Sequence, residues 1–222
     1  METKKTWKLF WFLEFPLYLC AKFYRTMKER IAQKASEMFL KLGFKSITMD
    51  DIANEMCISK KTIYKFFLNK EILVEQSTKF VHDHIHQVID QIIDKNYNAI
   101  KENFEIRKMF KEIFRSSDTS AVYQLKKHYP EIYQKINLEN QQECNLLFAK
   151  NINKGIQEGL YRKDIDIPSV VLFYFNLIMA IKENTSTEKE SFELELKALE
   201  YHTRAIATEK GLQELEKNLN TL

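Results

Sequence analysis

The sequence predicts an all-α protein, and three observations support this fold class. Only 4 glycines and 3 prolines occur among the 222 residues, whereas sheets joined by tight turns need many of both. Hydrophobic residues make up 45% of the chain and charged residues 29%, which is enough apolar material to bury a core. From Met27 onward, apolar residues recur at the spacing of amphipathic helices.

The composition also excludes several classes of function. The sequence contains no Gly-x-Gly-x-x-Gly and no Walker motif, so it lacks the usual phosphate-binding loops. The three cysteines, Cys20, Cys57 and Cys144, lie too far apart for metal or redox motifs and fit a reducing cytoplasm. Because no Ser/His/Asp set, Cys/His pair or catalytic carboxylate pair stands out, we predict neither an enzyme nor a cofactor.

Charge is distributed unevenly along the chain. Residues 1–75 carry a net charge of +5, and residues 76–222 carry −2. This division suggests a small polyanion-binding module on a nearly neutral helical body. Net charge alone leaves open the alternative that the asymmetry is an accident of surface composition.

The first 26 residues differ from the rest. Residues 7–24 are apolar and aromatic, but Glu14 and Pro16 interrupt them and no signal-peptide cleavage site follows. Their uninterrupted apolar runs are far shorter than the ~18 residues of a transmembrane helix, and Pro16 would break a membrane-surface helix. We expect a disordered extension, or one that is not part of the natural protein, and no membrane partner.

Three short helices open the regular pattern. The first begins at Met27 and ends before Gly43, a residue favoured just beyond a helix end. The second follows Thr48, whose hydroxyl can cap it. The third, about Lys60 to Leu68, follows Ser59, another capping residue. Its expected buried side chains are Ile63, Phe66 and Phe67.

Longer helices follow. They are predicted at roughly residues 70–95, 99–115, 119–128, 130–158, 168–184 and 188–217. Residues 170–181 are apolar on all sides except Asn176, so this segment must be buried on several sides. The last helix has an apolar stripe of Phe192, Leu196, Ala198, Leu199, Ala205 and Ile206. These two helices are the predicted dimer surface, and the alternative is that they only close the core of the monomer.

The long helix that starts near Lys70 carries two histidines on one face. His82, His86 and Asp90 lie at i, i+4 and i+8. Two histidines at this spacing can chelate a metal ion, but a solvated polar face is the more frequent explanation of such a pattern. We therefore predict no metal site.

Helices separated by a short turn are the layout of a helix-turn-helix DNA-binding unit. The segment TMDDIANEMCISKKTIYKFFLNKEIL, residues 48–73, resembles the signature of the TetR-type (tetracycline-repressor) transcriptional regulators. The resemblance covers about Met27 to Glu75 and implies a DNA-binding domain over residues 27–75 and an effector-binding and dimerisation domain over 76–222. It departs at Cys57, where the family usually has glycine in the turn. Glycine tolerates positive φ, so Cys57 should cost roughly 1 kcal/mol.

The third helix supplies the chemistry for contact with DNA. No acidic residue occurs between Ile58 and Asn69, and lysines can reach phosphates or purine acceptors in the major groove. The resemblance implies that the Tyr64 hydroxyl binds a phosphate and that Thr48 and Lys70 anchor the DNA backbone at the starts of their helices. The predicted DNA-binding residues are Thr48, Ser59, Lys60, Lys61, Thr62, Tyr64, Lys65 and Lys70.

One short recognition helix reads few base pairs, so we expect a homodimer on near-palindromic double-stranded DNA. The resemblance implies that the aromatic-rich region, residues 99–184, encloses a small, largely apolar effector. The predicted function is a cytoplasmic, ligand-responsive transcriptional repressor. The alternative is a helical membrane-surface or protein-interaction module that uses the aromatic N-terminus, and a helical hydrolase is a distant third.

Overall fold

The computed structural model describes residues 26–114 and 120–220, which contain ten α-helices. They are α1 (Met27–Leu42), α2 (Met49–Glu55), α3 (Lys60–Tyr64), α4 (Lys70–Ile93), α5 (Ala99–Phe114), α6 (Ala121–His128), α7 (Pro130–Gln157), α8 (Ile167–Asn184), α9 (Glu188–Ile206) and α10 (Glu209–Leu219). Extended pairing in these residues is limited to one isolated bridge between Tyr161 and Ala207. The predicted all-α class is confirmed. None of the described helices combines the length and the apolar character needed to cross a membrane.

The predicted N-terminal extension lies outside the described residues, except for Thr26. Thr26 caps α1, because its hydroxyl accepts the backbone N–H of Glu29 at 3.3 Å and its own N–H donates to the Glu29 carboxylate at 2.8 Å. This reciprocal pair is a capping box, which satisfies two donors at a helix start. The helical unit therefore includes Thr26, one residue before the predicted boundary.

The predicted last helix is in fact two helices, because the chain turns after Ile206. The backbone N–H of Thr208 donates to the Leu160 carbonyl at 2.9 Å, and the Thr208 hydroxyl accepts the Gly211 N–H at 3.1 Å. A Cβ atom at Gly211 would lie 2.1 Å from the Leu160 oxygen. Glycine is thus required for the start of α10 to approach the loop before α8.

Buried side chains form two clusters. The first joins α1, α2, α3 and the start of α4 to α6 and the start of α7; its largest members include Ile31, Phe39, Ile52, Ile63, Phe67, Leu73, Leu125 and Tyr133. The second is formed by α5, the end of α7, α8, α9 and α10; it includes Ile100, Phe104, Ile152, Tyr161, Val171, Leu199 and Leu215. The first cluster crosses the predicted domain boundary at residue 75. The N-terminal helices therefore share a core with part of the body.

Candidate nucleic-acid interface

The start of α2 is fixed by a second capping box. The Thr48 hydroxyl accepts the Asp51 N–H at 3.2 Å and donates to the Asp51 carboxylate at 2.7 Å, which also accepts the Thr48 N–H at 2.8 Å. These hydrogen bonds stabilise the carboxylate and lower the pKa of Asp51. The capping prediction for Thr48 is confirmed, while its contact with DNA stays a prediction.

The turn between α2 and α3 keeps the left-handed conformation that favours glycine. Cys57 has φ +53°, and its N–H donates to the Asn54 carbonyl at 3.1 Å. The next residue, Ile58, donates to the Ala53 carbonyl at 3.0 Å. The turn has therefore not adjusted to the larger side chain, and the expected strain at Cys57 remains.

The third helix is shorter than predicted. Ser59 caps it by accepting the Thr62 N–H at 3.1 Å, and the two hydroxyl oxygens lie 2.8 Å apart. Ile63 and Phe67 are fully buried, but Phe66 is 39% exposed, so the prediction that Phe66 is buried is wrong. The physical reason is that α3 ends at Tyr64, and the rotation of 100° per residue no longer applies beyond that point.

Two lysines and a tyrosine project from α3 and the turn after it into solvent. Lys61, Lys65 and Tyr64 are exposed, and Tyr64 keeps 43% of its surface accessible. Within the described ranges, neither Lys61 nor Lys65 forms an ion pair. Their charges are therefore available to an anionic partner.

Lys60 differs from the other two lysines because it already has an acidic partner. Its ammonium group donates to the Asp50 carboxylate at 2.8 Å and lies 6.0 Å from the centre of the Tyr64 ring. The hydrogen bond to Asp50 raises the pKa of Lys60. Contact between Lys60 and DNA would require it to leave or share Asp50.

Lys70, the last of the predicted DNA-binding residues, is partly buried at the start of α4. Its ammonium group donates to the Lys45 carbonyl at 3.2 Å and lies 5.9 Å from the centre of the Phe39 ring. Burial lowers the pKa of Lys70. In this arrangement Lys70 holds the α1–α2 loop against α4, a positioning role that sequence reasoning missed.

A hydrogen bond also ties the same loop to the body. The side-chain carbonyl of Gln124 on α6 accepts the Phe44 N–H at 3.0 Å. Gly43 precedes this contact with φ +89°, and a Cβ atom there would lie 2.8 Å from the Gln124 side chain. This hydrogen bond thus connects α6 to the loop that leads into α2.

An apolar cavity of about 240 Å³ lies between the N-terminal helices and the body. Its lining comes from α1 and from α4 to α8, and it includes Phe39, Val81, Ile85, Ile89, Phe110, Phe114, Leu125, Tyr133 and Met179. Ser77 also lines it, and the buried Ser77 hydroxyl lacks a hydrogen-bond partner among the described residues. The buried Nε2 atom of His82, another lining residue, likewise lacks a hydrogen-bond partner in the described part of the chain. The cavity thus combines an apolar wall with unsatisfied polar atoms, an arrangement suited to a small ligand.

The outer face of α8 and α9 exposes several large apolar side chains, which are Leu172 (47% exposed), Phe173 (69%), Leu177 (38%), Leu194 (38%) and Tyr201 (72%). Exposed residues of α9 also include the charged Glu193 and Lys197. In the predicted stripe on the last helix, Ala198, Leu199 and Ile206 are buried within the monomer, and Leu199 and Ile206 belong to the second core cluster. Whether these helices also form a dimer surface stays a prediction. Sequence periodicity identified an apolar face of α9, but that face closes the monomer.

The histidine pair on α4 is not on a solvated face. His82 and His86 are 24% and 29% exposed and lie beside Glu143 of α7. Asp90, which sequence reasoning grouped with them, is exposed and does not belong to this cluster. The correction arises because Glu143 reaches the two rings from α7, a tertiary contact that helical periodicity does not contain.

The fold and the interface define a class: an all-α protein with an N-terminal helix-turn-helix unit whose third helix is exposed and basic. The family model described as "Bacterial regulatory proteins, tetR family" matches residues 31–76. Over these residues the chain is similar to that family of bacterial regulatory proteins. The resemblance noted in the sequence is thereby confirmed.

Two curated relatives support the assignment. The biofilm operon icaADBC negative transcriptional regulator IcaR of Staphylococcus aureus is 28% identical over 132 residues, which are 60% of this chain and 62% of IcaR. The transcriptional repressor KstR2 of Mycolicibacterium smegmatis is 24% identical over 149 residues, which are 66% of this chain and 73% of KstR2. The chain therefore matches about three fifths of the length of IcaR.

Solved structures show the same fold. A transcriptional regulator from Cytophaga hutchinsonii superposes with a TM-score of 0.67 at 20% identity, covering 81% of this chain and 98% of that one. Reduced NemR of E. coli gives a TM-score of 0.64 at 14% identity, with 82% and 98% covered. At these identities the likeness concerns the fold alone.

Proposed function

We propose that this protein is a homodimeric, sequence-specific DNA-binding repressor that a small, largely apolar effector releases from a near-palindromic operator. The observation that carries the proposal is the exposed α3 surface, where Lys61 and Lys65 have no acidic partner among the described residues. Ile63 and Phe67 anchor this surface from below, since both are fully buried. The charges are thus presented by a rigid support.

This arrangement supports contact with duplex DNA in a specific way. Because the buried side chains of Ile63 and Phe67 hold α3 against the core, its exposed side can enter the major groove while the domain stays folded. Lysines contribute phosphate contacts, whose strength falls with salt because condensed counterions are released on binding. The Tyr64 hydroxyl adds a neutral donor beside them. The printed names of IcaR and KstR2, a negative regulator and a repressor, support repression as the outcome.

The first experiment selects an operator from a random duplex pool and compares two lysine variants. Lys65→Ala should weaken operator binding and reduce the salt slope by about 1, because one phosphate contact is lost. Lys163→Ala, which removes an equal charge from the exposed loop between α7 and α8, is the matched control and should bind like the parent. Equal affinity of the Lys65→Ala variant and the parent would remove Lys65 from the interface.

Dimerisation in this proposal uses the exposed face of α8 and α9. A single α3 contacts too few base pairs for tight and selective binding, so two copies on successive half-sites are needed. The exposed apolar side chains of α8 and α9 fit a two-fold interface, because the same patch can meet its own copy.

Effector binding in this proposal uses the apolar cavity. Its walls include α1, which belongs to the proposed DNA-binding domain, and α4, which begins in that domain. They also include α6, whose Gln124 side chain holds the α1–α2 loop. At about 240 Å³ the cavity lies just below the usual range for drug-sized ligands, so the effector should be small. A ligand there favours one position of α4 and thereby one spacing of the two α3 helices.

The second experiment measures this coupling. A thermal-shift screen of small apolar compounds identifies a ligand, and calorimetry then gives its affinity with and without operator duplex. Operator DNA should weaken ligand binding by the same factor, roughly 5- to 150-fold, by which the ligand weakens operator binding. Equal ligand affinities in the two measurements would contradict the effector part of the proposal and leave the DNA-binding part intact.

A further inference from the structure

Three side chains from two helices converge at the outer edge of the apolar cavity. His82 and His86 lie one turn apart on α4, with ring centres 4.3 Å apart. Glu143 reaches them from α7, and its Oε2 atom lies 3.5 Å from Nε2 of His82 and 3.1 Å from Nε2 of His86. Two helices distant in sequence thus direct three potential metal ligands to one point.

The spacing of these atoms fits a transition-metal site. Nitrogen and oxygen ligands held tetrahedrally about 2.0–2.2 Å from Zn²⁺ are about 3.4 Å from one another. The two measured separations bracket this value, and all three ligand atoms lie within 4.8 Å of one another. These separations are compatible with three ligands around one ion.

The surroundings also favour a ligand at this point. Nε2 of His82 is buried and has no hydrogen-bond partner in the described part of the chain, a costly state for a polar atom. The Asp83 carboxylate lies 3.7 Å from Nδ1 of the same ring, and a nearby carboxylate commonly orients a metal-binding histidine through its second nitrogen.

We propose that His82, His86 and Glu143 form a binding site for a divalent transition-metal ion of the zinc type. Imidazole and carboxylate ligands suit Zn²⁺, Co²⁺ and Ni²⁺ better than Ca²⁺ or Mg²⁺, which prefer oxygen ligands alone. Three protein ligands leave a fourth position for water or for a donor atom of the effector. Lys150 lines the same surface groove.

The site would join α4, which begins in the proposed DNA-binding domain, to α7 of the body. His82 and His86 also line the apolar cavity, whereas Glu143 lines only the outer groove. A bound ion therefore lies between the cavity and solvent and holds α4 against α7. Binding of the ion itself is independent of the proposed DNA-binding function.

The proposal is tested on chelator-treated full-length protein titrated with Co²⁺ and with Zn²⁺. We expect one ion per chain by calorimetry and the visible absorption bands of four-coordinate Co²⁺ with no sulfur-to-cobalt charge transfer. His86→Gln and Glu143→Gln should each weaken Zn²⁺ binding by at least about tenfold, since even residues that only orient ligands cost that much.

Matched controls distinguish this site from general histidine or thiol binding. His84 lies between the two ligands in sequence but is exposed and outside the cluster, so His84→Gln should bind like the parent. Cys144→Ser should also bind normally, although Cys144 follows Glu143 and lines the cavity. Absent Co²⁺ bands, equal losses in His84→Gln and His86→Gln, or loss of binding in Cys144→Ser would overturn the assignment.

Discussion

The α3 surface and the outer face of α8 and α9 both expose side chains without partners in the described chain, but at very different energetic cost. Charged groups such as those of Lys61 and Lys65 are well hydrated, so their exposure is nearly free. Phe173 and Tyr201, at 69% and 72% exposed, leave apolar area in water at about 25 cal/mol per Å². The α3 surface is therefore stable without the proposed DNA partner. Burial of the apolar face against a second chain would instead stabilise the proposed dimer.

The largest expected effect comes from placing a charge on the apolar face. Phe173→Glu should raise the dimer dissociation constant at least about a hundredfold, because burying an unpaired carboxylate costs several kcal/mol. Sedimentation measures the oligomeric state, and circular dichroism verifies that helix content is unchanged.

The matched control for this variant lies on α7. Leu138 is as exposed as Phe173, at 69%, but it is outside the face formed by α8 and α9. Leu138→Glu should leave the dimer intact. A dimer that survives Phe173→Glu but dissociates in Leu138→Glu would move the interface to α7.

The next effect concerns the inner side of the same two helices. Burial lowers the pKa of His202 to about 4, and its ring stacks on Tyr174 of α8 at 4.1 Å. An unfolded histidine has a pKa near 6.5, so the unfolded chain binds the proton more tightly than the native one. His202 therefore leaves stability unaffected above pH ~6.5 and reduces it as the pH falls towards ~4, by up to about 3 kcal/mol.

Urea unfolding between about pH 7 and pH 4 measures this loss. His202→Gln should have a flatter pH profile of unfolding free energy than the parent, and the exposed-site variant His84→Gln should keep the parent profile. Parallel profiles for His202→Gln and the parent would show that His202 is accessible to protons in the native state.

The smallest expected effect belongs to the helix-turn-helix unit. Cys57→Gly should raise the free energy of unfolding by up to about 1 kcal/mol, because glycine adopts the observed φ of +53° without a Cβ penalty. Cys57→Ala keeps the strained backbone and should give no gain. Equal gains in both variants would assign the effect to the thiol instead of the turn.

The two surfaces also differ in how far the sequence could predict them. The α3 unit depends on local signals, and the capping residues Thr48 and Ser59 are found where they were expected. Phe66 was misplaced because the length of a one-and-a-half-turn helix is set by its packing and not by its own pattern. The positioning role of Lys70 was not predicted because its partner, the Lys45 carbonyl, is supplied by a loop that folds back in space.

The body was harder to predict because its decisive contacts are tertiary. A helix that is apolar on almost all sides, as α8 is, contains no signal for which side stays exposed. The stripe that includes Leu199 was real but faces inward. Likewise, periodicity on α4 paired His82 with Asp90, whereas the carboxylate that meets it, Glu143, comes from a helix whose position the sequence alone does not give.

The central claim is that the two surfaces act together, with the apolar face joining two copies of the basic one. The most direct test compares binding of the parent protein to a selected full operator and to a duplex that contains one half-site. We predict two chains per full operator and at least about a hundredfold weaker binding to the half-site, because the second contact becomes intramolecular in the dimer. One chain per duplex, with equal affinity for the full operator and the half-site, would contradict the account.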